Sequence, residues 1–311
     1  MLISFVIPCY RSEKTISGVI DEIEATMSLR PENSYEIVCV NDCSPDDVYN
    51  VLREIASKNQ RVKVVNFAKN FGKASAVLAG YAKVSGDIVV SLDDDGQCPV
   101  NQTWDLIDAL SEEHDIAIAD YPKKKESVFK RFGSAVNASM MNFLIEQPNG
   151  IVMNNFYAMR RFIAEEMTRY KNPYPSLHPL LVQATHSFVM VPMEERERAD
   201  DKSSGFTFWK SFRLMINGFT NFSVKPLRIA MFLGMIVALI GFVYAIYLVI
   251  RRVINPEMVA GYASTMAVIL LVGGVIMVLL GIIGEYLGRL YICVNNGPQY
   301  VVKDTINFER K

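Results

Sequence analysis

Two long stretches near the C-terminal end constrain this chain more than any other feature. Residues 229–250 and 258–284 contain no Asp, Glu, Lys or Arg. An α-helix rises ~1.5 Å per residue and needs about 20 apolar residues to cross ~30 Å of hydrocarbon. Both stretches meet that length, whereas buried helices of soluble proteins rarely run so far without a charge. The expectation is a pair of membrane-spanning helices joined by the short linker 251–257. Lys210, Arg213, Lys225 and Arg228 precede the first stretch, and Arg289 and Lys303 follow the second. The linker's only basic residues are Arg251 and Arg252, so the positive-inside rule puts both termini on the cytoplasmic side of the cytoplasmic (inner) membrane. This hairpin accounts for a mean hydropathy of +0.17 in a chain that is 50% hydrophobic. Outside it the charge share is that of an ordinary soluble domain, roughly a quarter.

The remainder divides as a cytoplasmic domain over residues 1–205, an interfacial amphipathic helix over 206–226, the two membrane helices within 227–291, and a cytoplasmic tail over 292–311. Residues 2–8 are apolar but too short, and lack the basic leader, for a secretory signal. Five cysteines, with no Cys-x-x-Cys pair, fit a reducing compartment. The 311 residues carry 32 basic and 33 acidic side chains, for a net charge of −1. That balance excludes a broadly basic nucleic-acid binder.

Short apolar runs at residues 3–7, 36–40, 62–67, 88–92 and 116–119 read as buried strands. Amphipathic stretches at 13–27, 46–57, 73–84 and 102–112 read as helices between them. This alternation predicts an α/β fold with an open, mostly parallel sheet flanked by helices. Such sheets bind ligands beyond the carboxyl ends of their strands. Those ends are rich in polar residues: Tyr10 to Glu13, Asn41 to Asp46, Lys69 to Lys73, and Asp93 to Gln97. Neither a dinucleotide glycine fingerprint nor a Walker-type phosphate loop follows the first strand.

Asp93, Asp94 and Asp95 directly follow the fourth strand. Adjacent carboxylates repel unless a cation or solvent separates them. Hard oxygen ligands on a short turn suit Mg²⁺ or Mn²⁺, which keep positions open for substrate phosphates. Residues two apart can share a face, which makes Asp93, Asp95 and Gln97 the candidate metal ligands. A solvated acidic turn, or a cap for the next helix, is the plain alternative.

Four ordered blocks now resemble a known family. They are Pro8-x-Tyr10-x-x-Glu13; Asn41-Asp42-x-Ser44; Asn70-x-Gly72-Lys73 with Ala79-Gly80 and Gly86-Asp87; and Asp93-x-Asp95-x-Gln97. Together they are similar to family 2 glycosyltransferases of the GT-A fold. Gly284-Glu285-Tyr286-Leu287-Gly288-Arg289 and the later Pro298-x-Tyr300-Val301-Val302 resemble the tail of bacterial polyprenyl-phosphate glycosyltransferases, relatives of dolichol-phosphate mannose synthase. The resemblance implies a nucleotide-sugar site at Pro8, Tyr10, Glu13, Asp42, Asn70, Lys73, Asp93 and Asp94. It gives Asp93, Asp95, Gln97 and Arg198 catalytic roles, with the divalent ion and donor diphosphate on Asp93, Asp95 and Gln97. Tyr10 offers a stacking face and Asp42 a carboxylate for a base edge.

On the acceptor side, Lys123-Lys124-Lys125 and Lys130-Arg131 form a basic run. It is either a solvated loop or a contact with an anion. The apolar spacing of residues 128–145 fits a helix resting on a bilayer or packed on the sheet, and residues 206–222 are a second interfacial candidate. The resemblance points to Arg131 and Ser134, with Lys123, for the acceptor phosphate. It also points to Arg198, Lys202 and Ser203 as a loop over the donor phosphates, although Asp201 stands where the family has Gly. It further implies a homo-oligomer, with a tetramer as precedent. His178 is a weaker candidate facing the donor, and His114 and His186 read as ordinary surface or strand residues.

Three positions depart from the family. Asn41 replaces an Asp, and Asn155-Phe156-Tyr157 replaces an Asp-Phe-Arg-like triplet whose Asp has been considered a base. Asn cannot be a base, but a phosphate acceptor, with a second pKa of ~6, is already anionic at neutral pH. The expected activity is therefore inverting transfer from a nucleotide-sugar, UDP-linked, to polyprenyl phosphate at the cytoplasmic membrane face. Two alternatives stay open: transfer to a glycolipid or glycan hydroxyl, and a non-catalytic nucleotide-sugar-binding membrane scaffold.

Overall fold

A computed structural model describes residues 1–121, 148, 150–173, 175–194, 196, 225–254, 261–294 and 297–308. It divides into two compact units, Met1–Phe206 with Asn296–Lys311, and Thr207–Asn295.

The first unit is built on an eight-stranded sheet in the order β7-β5-β6-β4-β1-β2-β3-β8. Its strands are β1 (Leu2–Cys9), β2 (Ser34–Asn41), β3 (Val62–Phe67), β4 (Ile88–Ser91), β5 (Ile116–Asp120), β6 (Tyr157–Arg160), β7 (Phe188–Pro192) and β8 (Val302–Ile306). The central four, β4-β1-β2-β3, are parallel. Both faces of β1 are covered: Ile3, Phe5, Val6 and Ile7 have no exposed surface, as expected for a parallel strand between helix layers. The four helices between these strands and β5 are α1 (Ile16–Ser28), α2 (Val48–Lys58), α3 (Lys73–Tyr81) and α4 (Thr103–Ala109). α3 and α4 lie within their expected stretches, and α1 and α2 end one residue beyond theirs. In α1 the buried positions Ile16, Val19, Ile20, Ile23 and Met27 recur at helical spacing and form its core face. Beyond β6 follow α5 (Arg161–Thr168) and α6 (Leu177–Ala184).

The outer strands add what the sequence pattern omits. β6 runs antiparallel to both β4 and β5, and β7 is parallel to β5. The tail folds back as β8, antiparallel to β3. A buried carboxylate ties strand starts together. Glu36 accepts from Ser4 Oγ at 2.6 Å and pairs with Lys63 at 2.7 Å. Burial opposes its ionisation, but Lys63, Ser4 and the Ser85 amide outweigh that and hold its pKa below the usual range. Gly86 fits here because its backbone N–H donates to Ser4 Oγ at 2.9 Å. A Cβ there would sit 2.7 Å from the Leu2 carbonyl oxygen.

The second unit contains two long helices, α7 (Lys225–Ile254) and α8 (Tyr262–Val294), of 30 and 33 residues. Both exceed the ~20 residues of a membrane crossing. Within α8, Leu271–Gly288 has a mean hydropathy of 2.0 and none of it is buried. Among the described residues this is the stretch long and apolar enough to span a bilayer, and α7 carries the shorter apolar stretch Ala230–Tyr244. The helices approach each other where Gly234 faces Leu279; a Cβ on the glycine would stand 3.3 Å from the leucine Cδ1.

Candidate active site

Four strand ends meet around one cavity of about 400 Å³ at the carboxyl edge of the parallel strands. β1 supplies Pro8, Cys9 and Tyr10, β2 supplies Asp42, the β3–α3 loop supplies Asn70, Gly72 and Lys73, and β4 supplies Asp93, Asp94 and Asp95. Parallel order places these ends side by side although they are distant in sequence. The chain leaves β1 and β2 through two non-glycine residues in the left-handed region, Arg11 at φ 59° and Cys43 at φ 50°. Non-glycine residues adopt this conformation at a cost, and here it turns both loops at the cavity rim.

The three aspartates have distinct surroundings. Asp93 is held on both oxygens: Lys73 Nζ lies 2.5 Å from Oδ1, and Asn155 Nδ2 donates to Oδ2 at 3.0 Å. Asp94 turns back and accepts from the Tyr10 backbone N–H at 2.9 Å. Burial pushes the Asp94 carboxyl up to about 6, against that hydrogen bond. Asp95 Oδ1 accepts from the Gln97 backbone N–H at 3.1 Å while the side chain borders the cavity.

Asp42 organises the neighbouring wall. Its two oxygens accept from the Phe71 and Gly72 backbone N–H groups at 2.7 and 2.8 Å. Burial raises its pKa, and those amides work against the rise. Asn70 Nδ2 donates to the Asp42 carbonyl at 3.2 Å. Gly72, at φ 90°, provides the left-handed backbone from which α3 starts with Lys73. Tyr10 stays exposed at the rim, with the Arg11 guanidinium 5.5 Å from its ring centroid.

Eight of the expected nucleotide or catalytic residues therefore border the cavity: Pro8, Tyr10, Asp42, Asn70, Lys73, Asp93, Asp94 and Asp95. Glu13 does not. Its Oε2 accepts from the Asp47 N–H, and its own N–H donates to Asp46, both at 3.0 Å. This exchange joins the loops that start α1 and α2. Gln97 is also absent from the lining, and its Nε2 donates to the Arg196 carbonyl at 3.4 Å. Of the three expected ligands, Asp93 and Asp95 border the cavity and Gln97 does not. Among the described residues no group of three or more His, Cys, Asp or Glu side chains is arranged to hold a metal. A site with Asp95 as protein ligand still fits Mg²⁺ or Mn²⁺, which commonly take one or two carboxylates with phosphate and water. Arg198, Lys202, Ser203, Lys123, Arg131 and Ser134 lie outside the described residues, as do the interfacial candidates 128–145 and 206–222.

The departures from the family pattern have local partners. Asn41 Nδ2 donates to Asn66 Oδ1 at 2.8 Å, and Asn41 Oδ1 accepts from the Ser44 N–H at 3.2 Å. Asn41 thereby bridges the ends of β2 and β3. Tyr157 is 1% exposed, with its hydroxyl 2.6 Å from that of Tyr81. It belongs to the core behind the cavity. Asn155 reaches Asp93 only through long-range folding, and that contact has no spacing signal in the sequence. His178, at the start of α6, has its pKa lowered to about 4 by burial and by the charge of Lys73.

Comparison with known proteins fits this geometry. Residues 4–168 match the model of glycosyl transferase family 2, and residues 225–290 match that of the GtrB C-terminal hairpin. A SfII prophage-derived bactoprenol glucosyl transferase of Shigella flexneri is 30% identical over 304 residues, covering 97% of this chain and 98% of that protein. An undecaprenyl-phosphate 4-deoxy-4-formamido-L-arabinose transferase of Yersinia pestis is 29% identical over 318 residues, covering 99% and 94%. Among solved structures, glucosyl-3-phosphoglycerate synthase of Mycobacterium tuberculosis, in complex with Mn²⁺, UDP and glucosyl-3-phosphoglycerate, is similar at a TM-score of 0.50 and 21% identity, covering 70% and 76%. The parallel core, its strand-end cavity and the C-terminal hairpin agree with the GT-A expectation. With the family match spanning the whole parallel core and cavity, this chain belongs to glycosyl transferase family 2, and it is a glycosyltransferase.

Proposed function

We propose that this chain moves a sugar from a nucleotide-sugar, UDP-linked, to a polyprenyl phosphate at the cytoplasmic face of the membrane, with inversion at the anomeric carbon. The observation that carries the reading is the acidic, lysine-bearing cavity at the strand ends. It has the chemistry for a nucleoside diphosphate and sits in a chain that also carries a long apolar hairpin. Support for the acceptor comes from relatives named for bactoprenol and undecaprenyl phosphate, which align over nearly the full length.

In this reading Tyr10 stacks on the base, and Asp42 keeps the 70–72 backbone in place below it. Lys73 is close enough to exchange Asp93 for a diphosphate oxygen. Asp95, with Asp93 beside it, is the carboxylate to hold Mg²⁺ or Mn²⁺, which when bound neutralises charge growing on the departing diphosphate. An acceptor phosphate oxygen forms the new bond to the anomeric carbon. The bond to the nucleoside diphosphate breaks, and its electron pair leaves with that group. Asn155 is no base, and none is needed, because the phosphate is already ionised. Lys123, Arg131 and Ser134 are proposed for the acceptor phosphate, and Arg198, Lys202 and Ser203 for the donor side. The hairpin anchors the enzyme in the bilayer, and a homo-oligomer, up to a tetramer, is part of the proposal.

Replacing Asp95 tests this directly. Full-length Asp95→Ala in vesicles containing polyprenyl phosphate is expected to lose transfer by about 100-fold or more, in line with removal of a transition-state charge stabiliser. Undiminished metal-dependent transfer in that variant overturns the role given to Asp95. Transfer confined to a hydroxyl acceptor overturns the phosphate assignment.

A further inference from the structure

The tail segment around Pro298 to Val302 has no part in the cavity, yet the fold connects it to the cavity wall. After α8, Gln299 Nε2 donates to the Tyr170 and Asn172 carbonyls, each at 3.1 Å. The Val301 carbonyl then accepts from the Ala68 N–H at 2.9 Å, where β3 becomes the loop leading to Lys73. Between these bonds, the Tyr300 ring lies parallel to Phe67, with centroids 5.3 Å apart and planes 8° apart. Phe67 in turn meets Phe71 edge to face at 5.7 Å. Phe71 is the residue whose N–H donates to Asp42, next to Gly72, whose N–H takes the other carboxylate oxygen. Farther along, β8 is fastened by Asn307, whose Nδ2 donates to the Ala56 and Val62 carbonyls at 2.7 and 2.8 Å.

We propose that Tyr300 is a positioning residue for the donor pocket: its ring, through Phe67 and Phe71, sets the backbone of residues 70–72 that Asp42 receives and from which Lys73 starts. The proposal rests on the donor-site reading above and adds to it that the strand following the hairpin is part of the pocket's framework. A parallel stack restrains Phe67, and the edge-to-face contact passes that restraint to Phe71. Without the outer ring, Phe71 loses its backing and the two amides lose their fixed aim at Asp42.

The test uses full-length protein in detergent as wild type, Tyr300→Leu and Tyr300→Phe. Leucine fills most of the space without a ring to stack, and phenylalanine keeps the ring. Hydrogen exchange is expected to accelerate at the Phe71 and Gly72 amides in Tyr300→Leu, with β1 and β4 amides unchanged, and to return to the wild-type rate in Tyr300→Phe. Calorimetry with UDP and Mn²⁺ is expected to give a Kd about three- to tenfold weaker for the Leu variant and near wild type for Phe, the scale of one lost aromatic pair. Unchanged exchange at Phe71 and Gly72 overturns the proposal, as does acceleration spread across β1 and β4, which reports loss of the fold. Local opening without weaker UDP binding also overturns it. A wild type that binds no UDP overturns the donor-site reading instead, a result separate from the exchange outcome.

Discussion

Asp93 sits between a cation and an amide, and that arrangement shapes the chemistry open to the cavity. Lys73 neutralises one oxygen, and Asn155 donates to the other. A carboxylate at position 155 would instead face Asp93 with like charge. If the acceptor is a phosphate, a base at this position adds nothing. Asn155→Asp is therefore expected to leave the transfer rate to polyprenyl phosphate unchanged or to lower it, measured at neutral pH with saturating donor. A rise of about 100-fold or more, the lower range of general-base effects, would show that a base had been missing. At this scale the sequence was legible in part. The triple aspartate and its place after a strand were plain. Which partner each side chain takes was not, because Asp94 meets the Tyr10 amide and Gln97 the Arg196 carbonyl, both distant in sequence. Glu13 stands in a motif block, and its bond to the Asp47 N–H, between loops 34 residues apart, had no signal in that block.

Elements follow the apolar pattern closely where strands are buried on both faces. The four parallel strands and the helices between them answer to runs that any covered parallel sheet requires. β6, β7 and β8 escaped that pattern for a physical reason. β7 and β8 are the two edge strands, β6 is inserted antiparallel between β4 and β5, and each is defined by pairing with strands distant in sequence. The resemblance block Gly86-Asp87 proves to be structural, packed on the first strand. A Cβ at Gly86 would meet Ser4 Oγ at 2.6 Å and the Leu2 carbonyl oxygen at 2.7 Å. The backbone atom cannot rotate away, so Gly86→Ala is expected to destabilise the catalytic unit by about 1–3 kcal/mol, the usual range for overpacking. Denaturant unfolding of the full chain in detergent measures this. A change below about 0.5 kcal/mol would mean that the β1 start shifts freely.

The whole molecule joins two chemistries that its composition averages together. A near-neutral net charge and moderate hydropathy conceal a catalytic unit with an ordinary charge share and a hairpin that has little charge at all. The long uncharged runs announced the hairpin, and the ordered strand-end blocks announced the enzyme. Hidden from both was the return of the chain after α8 to add β8 to the catalytic sheet. Transfer of the sugar from a nucleotide-sugar to a lipid phosphate, with release of the nucleoside diphosphate, is tested most directly by the product itself. Full-length protein in vesicles is given a panel of nucleotide-sugars with Mg²⁺ or Mn²⁺ and an equimolar mixture of polyprenyl phosphate, polyprenol and a glycolipid. The lipids are then analysed by mass spectrometry. The expected product is a single new species, polyprenyl phosphate plus one sugar residue linked through phosphate, formed in equal amount with released nucleoside diphosphate. A glycosylated polyprenol or glycolipid in place of that species would contradict it.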